Sequence, residues 1–226
     1  MNRIGWLALA AMLLATILSV REAWLNRGVV EIPLFPKNIA AITALVEATQ
    51  VRLTIVADYC AYGSYSDPQG FGKYKTALEA RADAGIQVQL TIYRDDISRQ
   101  VCLKQFGLDQ DAPTNQKTFS TVRNTEPFKA YFKYHAAELS AREPTTPEDF
   151  IQVIQEEELD CIRALREKKI TVDTTIDREL PVFMWIKDNE EAIVSIYNFG
   201  PSAREASLRT KNRSIVNVLS NRAQAR

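Results

Sequence analysis

The chain has 226 residues, 46% hydrophobic and 25% charged, the balance of an ordinary globular domain, which excludes a disordered, collagen-like or disulfide-scaffold protein. Lys and Arg (28) offset Asp and Glu (28) for a formal net charge of +0, so no overall field draws the chain to nucleic acid, and no nucleic-acid partner is expected. Cys60, Cys102 and Cys161 contain no CxxC pair, and with the single histidine, His135, they offer neither zinc spacing nor a disulfide framework. No metal and no cofactor is expected.

Residues 4–20 (IGWLALAAMLLATILSV) carry no charge and lie between Arg3 and Arg21. At about 1.5 Å per residue such a helix nearly crosses an apolar bilayer core of about 30 Å, with Trp6 and Trp24 placed as interfacial anchors. No small-residue cleavage pattern follows the apolar run, so the expectation is an uncleaved anchor over residues 1–27 rather than a signal peptide, with one domain over 28–226. The expected location is a single-pass membrane protein. Unpaired cysteines tilt the domain toward a reducing, cytoplasmic face.

Beyond the anchor, residues 28–37 read as a Pro-broken extended linker, and Asn38 as the cap of a helix with Ile39, Ile42, Leu45 and Val46 on its apolar face. Residues 51–57 alternate as a strand ending in Asp58, and a tyrosine-rich loop over 59–70 follows. A helix over 71–84 closed by Gly85, then a strand over 86–93, completes a strand–helix–strand unit with parallel strands. Residues 94–124 are polar and give a short helix within a long excursion. Thr146, with Pro147, Glu148 and Asp149, opens a strong helix striped by Phe150, Ile154, Cys161, Ile162 and Leu165. Four short strands follow at 170–174, 182–186, 192–197 and 205–209, the middle two joined by a hairpin turn at Asp188 and Asn189. A helix over 214–219 ends the pattern.

This order resembles one half of the phospholipase D fold, over residues 39–222 apart from the central excursion. The resemblance is sharpest in Pro181-Val-Phe-Met-Trp-Ile-Lys-Asp188 and Ala192-Ile-Val-Ser-Ile-Tyr-Asn198. In that family the first segment carries His-x-Lys with an Asp after four further residues, and the second carries Gly-Ser-x-Asn. Asp188 and Asn198 fall in register, while Pro181 stands at the histidine, Phe183 at the lysine, Ser195 at the glycine and Ile196 at the serine. The resemblance implies a mixed α/β sheet flanked by helices. It also implies that phosphodiester chemistry is lost, because a nucleophilic histidine, a general acid and phosphate-holding lysines must act together and neither Pro181 nor Phe183 supplies any of them. His135 lies in a different predicted helix and lacks the paired lysine.

The expectation is therefore a catalytically inactive, membrane-anchored phospholipase D-like domain that binds or scaffolds, with the lipid bilayer, a second copy of the chain or another protein as partners. The homodimer follows from the family's two-halved site, with Phe183 either on the surface that meets the other half or inside the monomer core between sheet and helix, where it says nothing about a partner. An active phosphodiesterase with an atypical site and an unrelated Rossmann-like ligand-binding domain are the alternatives, the latter lacking the late hairpin. Tyr59, Tyr62, Ser64, Tyr65 and Asp67, beyond the carboxyl end of the first core strand, sit where open α/β sheets place ligands; they either contact a ligand or partner or cover the sheet edge. Cys60 has no adjacent base and reads as inert. The run Glu156–Glu158 reads as a solvated helix face.

Overall fold

The computed structural model describes residues 28–64, 66–106, 119–125, 129, 144, 146–196 and 206–224. The expected anchor over 1–27, His135, Tyr65 and Asn198 lie outside the described residues. Among the described residues, no helix is long and apolar enough to cross a membrane.

The strands are β1 (Val29–Ile32), β2 (Arg52–Val56), β3 (Gln87–Tyr93), β4 (Thr171–Ile176), β5 (Val182–Lys187), β6 (Glu191–Ile196) and β7 (Ala206–Thr210). The helices are α1 (Ile39–Glu47), α2 (Pro68–Asp83), α3 (Asp95–Phe106), α4 (Phe119–Arg123), α5 (Pro147–Glu167) and α6 (Arg213–Gln224). The strands form one sheet in the order β1-β7-β6-β5-β2-β3-β4. β2, β3 and β4 run parallel, and the strands from β5 across to β1 pair antiparallel to their neighbours. The late hairpin is present, against an unrelated Rossmann-like layout.

Local chemistry explains the element ends. The Asp67 carboxylate accepts from the Gly70 N–H at 3.0 Å and Pro68 occupies the first turn, so α2 starts at Pro68 rather than at residue 71. Its exit turns at Gly85, whose φ of +81° suits a residue without a Cβ. α5 opens on a full capping box: the Asp149 N–H donates to Thr146 Oγ1 at 3.1 Å, and the Thr146 N–H donates back to the Asp149 carboxylate at 3.3 Å. In the hairpin, Asp188 and Asn189 take φ of +52° and +54°, and the Glu190 N–H closes the turn on the Lys187 carbonyl at 2.9 Å. Positive φ at both central residues matches the twist of the flanking strands.

Strand alternation assigns the two sheet faces. On one, Leu53 and Ile55 of β2 lie beside Leu90 of β3 and Trp185 of β5, all buried, and the Trp185 indole N–H donates to the Tyr74 hydroxyl of α2 at 3.1 Å. α1, α2 and α5 cover this face. α6 packs against β2, β5 and β6 through Val216, Ser220 and Ala223, from the side of Met184 and Ile186.

Two expectations need correction. The linker over 28–37 contains β1, which pairs with β7 as an edge strand, Val29 opposite Thr210; two prolines after the strand, not within it, left its hydrogen-bond ladder intact. Asn38 makes no side-chain cap. Its side chain is fully buried under the sheet, where Nδ2 donates to Ser195 Oγ at 2.9 Å and Ser207 Oγ at 3.2 Å.

Candidate functional site at the carboxyl end of the parallel strands

Because β5 runs antiparallel to β2, with Met184 opposite Val56, the start of β5 meets the carboxyl end of β2. Phe183 sits there with 0% of its surface exposed. Tyr62 and Tyr93 meet its ring edge-on, with centroids at 6.3 and 6.5 Å, and Tyr62 packs in turn on Trp185 at 4.8 Å and on Phe35 at 5.2 Å. The Leu180 N–H donates to the Tyr93 hydroxyl at 2.7 Å, which pins the entry into β5. Pro181 is exposed at the rim. Five aromatic rings therefore cluster here, and Phe183 brings no nucleophile or cation to the position.

The remaining motif positions scatter. Ser195, across from Phe183 on β6, lies 3.0 Å from Ser207 Oγ and joins the buried Asn38 network. Ile196 points to the other face and is partly exposed. Asp188 is at the far end of β5, where its carboxylate accepts from the backbone N–H groups of Gln50, Val51 and Arg52 at 3.1, 2.8 and 2.9 Å. Burial pushes that carboxyl upward, but the three amide donors, with Lys187 beside it, bring it below its ordinary value.

The tyrosine-rich loop is folded inward. Tyr62 and Ser64 are buried, the Tyr59 hydroxyl donates to the Ser98 carbonyl at 3.0 Å, and Asp67 is occupied at the start of α2. These contacts turn Tyr59, Tyr62 and Asp67 toward the protein's own helices and sheet. The same loop brings together two cysteines that are 101 positions apart: Cys60 Sγ lies 2.9 Å from Cys161 Sγ, and both are buried.

The polar group that sequence reading missed is Glu158. It is 9% exposed, not part of a solvated face: the Cys60 and Ala61 N–H groups donate to its two oxygens at 2.5 and 3.0 Å. Its position one turn after Ile154 and one turn before Cys161 and Ile162 puts it on the apolar stripe of α5, which was the available signal. Burial pushes its carboxyl up to about 8, helped by Asp58 and Glu157 and opposed by the two amides. Glu158 thus keeps a proton at neutral pH. It lines a cavity of about 230 Å³ between α3 and α5, with Asp95, Ser98, Arg99, Gln155 and the apolar Ile151, Ile154 and Leu159 on the walls. The cavity can offer a small ligand a protonated acid, an amide, a guanidinium and an apolar wall. Among the described residues, no three His, Cys, Asp or Glu side chains converge to hold a metal.

No protein-family model matches the sequence, and no curated protein matches it. Solved structures that resemble it include TrmBL2, an archaeal chromatin protein described as showing a novel mode of DNA binding (11% identity, TM-score 0.43, 98% of this chain and 64% of that one). They also include Nuc from Salmonella typhimurium, a phospholipase D family member (12%, 0.40, 88% and 91%), and NucT from Helicobacter pylori (10%, 0.39, 87% and 94%). The chain therefore spans less than two thirds of TrmBL2.

Two partner expectations are corrected. The exclusion of nucleic acid is withdrawn, since a DNA-binding protein is among the structures this chain resembles; a net charge of zero describes the whole chain and does not exclude a local basic surface. Phe183 is enclosed within its own chain and offers no surface to a second copy, so the homodimer argument built on it fails.

Proposed function

We propose that this chain is a membrane-anchored phospholipase D-like domain that works by binding and does not cleave phosphodiesters. The observation that supports this reading most is Phe183: at the position where the family resemblance puts a phosphate-holding lysine, a fully buried phenyl ring packs against Tyr62 and Tyr93. A general acid and a preorganised cation each contribute roughly 10²–10³-fold or more to such a reaction, so their joint loss leaves no useful catalyst. The binding surface assigned to the domain is the α3–α5 cavity around Glu158. Residues 4–20 are the anchor, and deleting 1–27 is expected to move the protein from the membrane to the soluble fraction.

The test is turnover of bis-p-nitrophenyl phosphate by the full chain in detergent, where no rate above buffer is expected. Turnover that His135→Ala abolishes would overturn the reading. Duplex DNA is titrated alongside, at low and at raised salt, since nucleic acid is no longer set aside as a partner and phosphate contacts weaken steeply with salt.

A further inference from the structure

Cys60 follows β2 in the loop that folds over the carboxyl end of the sheet, and Cys161 lies in the middle of α5. Their sulfur atoms are 2.9 Å apart, within about 1 Å of the S–S bond length of about 2.04 Å. The two side chains are 2% and 5% exposed, so no solvent-filled gap separates them. A second contact fixes the same juxtaposition: Glu158, one turn before Cys161, accepts the N–H groups of Cys60 and Ala61. Loop and helix are held in register on both sides of the sulfur pair.

We propose that Cys60 and Cys161 are a disulfide-forming pair that ties the loop after β2 covalently to α5. The oxidant is a low-molecular-weight disulfide. One protein thiolate attacks it and displaces one small thiol. The second protein thiolate then attacks the mixed disulfide, forms the Cys60–Cys161 bond and releases the other small thiol. Two protein thiols are oxidised, one small disulfide is reduced to two thiols, and the two protons pass to those products.

The surroundings set when this happens. Burial, the neighbouring Cys161 and Glu158 push the Cys60 thiol up, against a smaller opposite pull from Lys75. The folded dithiol is therefore a poor nucleophile, and the bond forms while the chain folds or when the loop opens. This inference is independent of whether the domain binds or cleaves, since it does not use Phe183 and takes Glu158 only as the acceptor of the Cys60 and Ala61 N–H groups, not as a wall of the α3–α5 cavity. It also removes one ground for a reducing environment, because two of the three cysteines have a common fate.

The experiment uses the full chain in detergent with Cys102→Ser, so that a single cysteine pair remains. The protein is unfolded in urea and refolded in mixtures of reduced and oxidised glutathione, then quenched with acid and digested without reductant. The expected product is one peptide pair joining Cys60 to Cys161, two hydrogens lighter than the separate peptides. Folded protein should keep this bond at about tenfold or greater reducing strength than the urea-unfolded chain tolerates, since folding holds the sulfurs together. Oxidised protein should also resist higher urea than reduced protein, and this difference should vanish in Cys60→Ser and in Cys161→Ser. The first readout needs neither of these variants, so it stands if they fold poorly. Two free thiols at every glutathione ratio, glutathione adducts in place of the cross-link, or equal reducing strength for folded and unfolded chain would each overturn the proposal.

Discussion

Glu158 and Glu191 are both nearly enclosed, 9% and 2% exposed, yet their carboxyl groups are driven in opposite directions. Burial pushes each upward. Glu158, at the carboxyl end of β2 and β3, draws its two hydrogen bonds from backbone amides, with Asp58 and Glu157 near, and rises to about 8. Glu191, at the other end of the sheet, meets Arg209 at 2.5 Å, Lys187 at 3.4 Å and Lys211 at 4.0 Å, and these cations outweigh its burial and hold it below its ordinary value. The cations around Glu191, which Glu158 lacks, and the deeper setting of Glu158 together drive the two groups apart. One end of the sheet is aromatic and keeps a protonated carboxyl group. The other is laced with ionised carboxylates. The cavity beside Glu158 sets a protonated acid among Asp95, Ser98, Arg99, Gln155 and an apolar wall, whereas the opposite end already has its charges matched.

The largest effect that tests this contrast is expected at the aromatic end. Phe183→Ala removes a fully enclosed ring from among Tyr62, Tyr93 and their neighbours, and about 3–5 kcal/mol of stability should be lost, read as the shift in a urea unfolding curve. A loss under about 1 kcal/mol would mean that the aromatic cluster is loosely packed and that the site is open. Phe183→Lys, which returns the residue type implied by the family resemblance, should cost at least as much, because an ammonium group would be buried among rings.

The next effect is a pH dependence. Glu158 is protonated in the folded chain up to about pH 8, whereas in the unfolded chain it ionises near its ordinary value of about 4.3. Between those values the folded state binds the extra proton, so stability falls as pH rises, by up to about 1.4 kcal/mol per pH unit from this one group. Glu158→Gln should flatten the wild-type curve across that window. If the stability of the Glu158→Gln variant falls with pH as steeply as that of the wild type, the dependence belongs to another group.

Most of the scaffold could be read from the sequence because local chemistry decides it. The Thr146–Asp149 cap, the Gly85 exit and the Asp188–Asn189 turn each need one residue type at one place, and the parallel unit followed by a late hairpin emerges from periodicity. The site was less legible, for a physical reason. Glu158 and Cys161 face Cys60 across roughly a hundred residues, and no local pattern encodes that meeting. Asn38 looked like a cap because short polar residues before an apolar stripe usually are; its burial against Ser195 and Ser207 depends on β6 and β7, far along the chain. Val29–Ile32 looked like linker because an edge strand of four residues carries little alternation of its own.

The smallest effect is expected at the ionised end, at Asp188, where two roles overlap and three substitutions separate them. The residue sits at φ +52° and its carboxylate gathers the N–H groups of Gln50, Val51 and Arg52. Asp188→Ala loses both the acceptor and the tolerance for left-handed backbone, and should cost about 2 kcal/mol, since water can reach part of the freed backbone. Asp188→Gly keeps the turn without the acceptor, and Asp188→Asn keeps the turn with one neutral acceptor oxygen. If the carboxylate clamp between the hairpin and the start of β2 carries the stability, Asn should be the mildest of the three and Gly should lie between Asn and Ala. If turn geometry dominates, Gly should equal or exceed Asn. Acid titration adds the sign: a carboxyl held below its ordinary value of about 3.9 stabilises the fold fully above that value and stops doing so as pH falls through its lowered folded value. The advantage of wild type over Asp188→Asn should therefore be constant from neutral pH down to the ordinary aspartate range and vanish below it; an advantage that persists under strong acid would deny the ionised clamp.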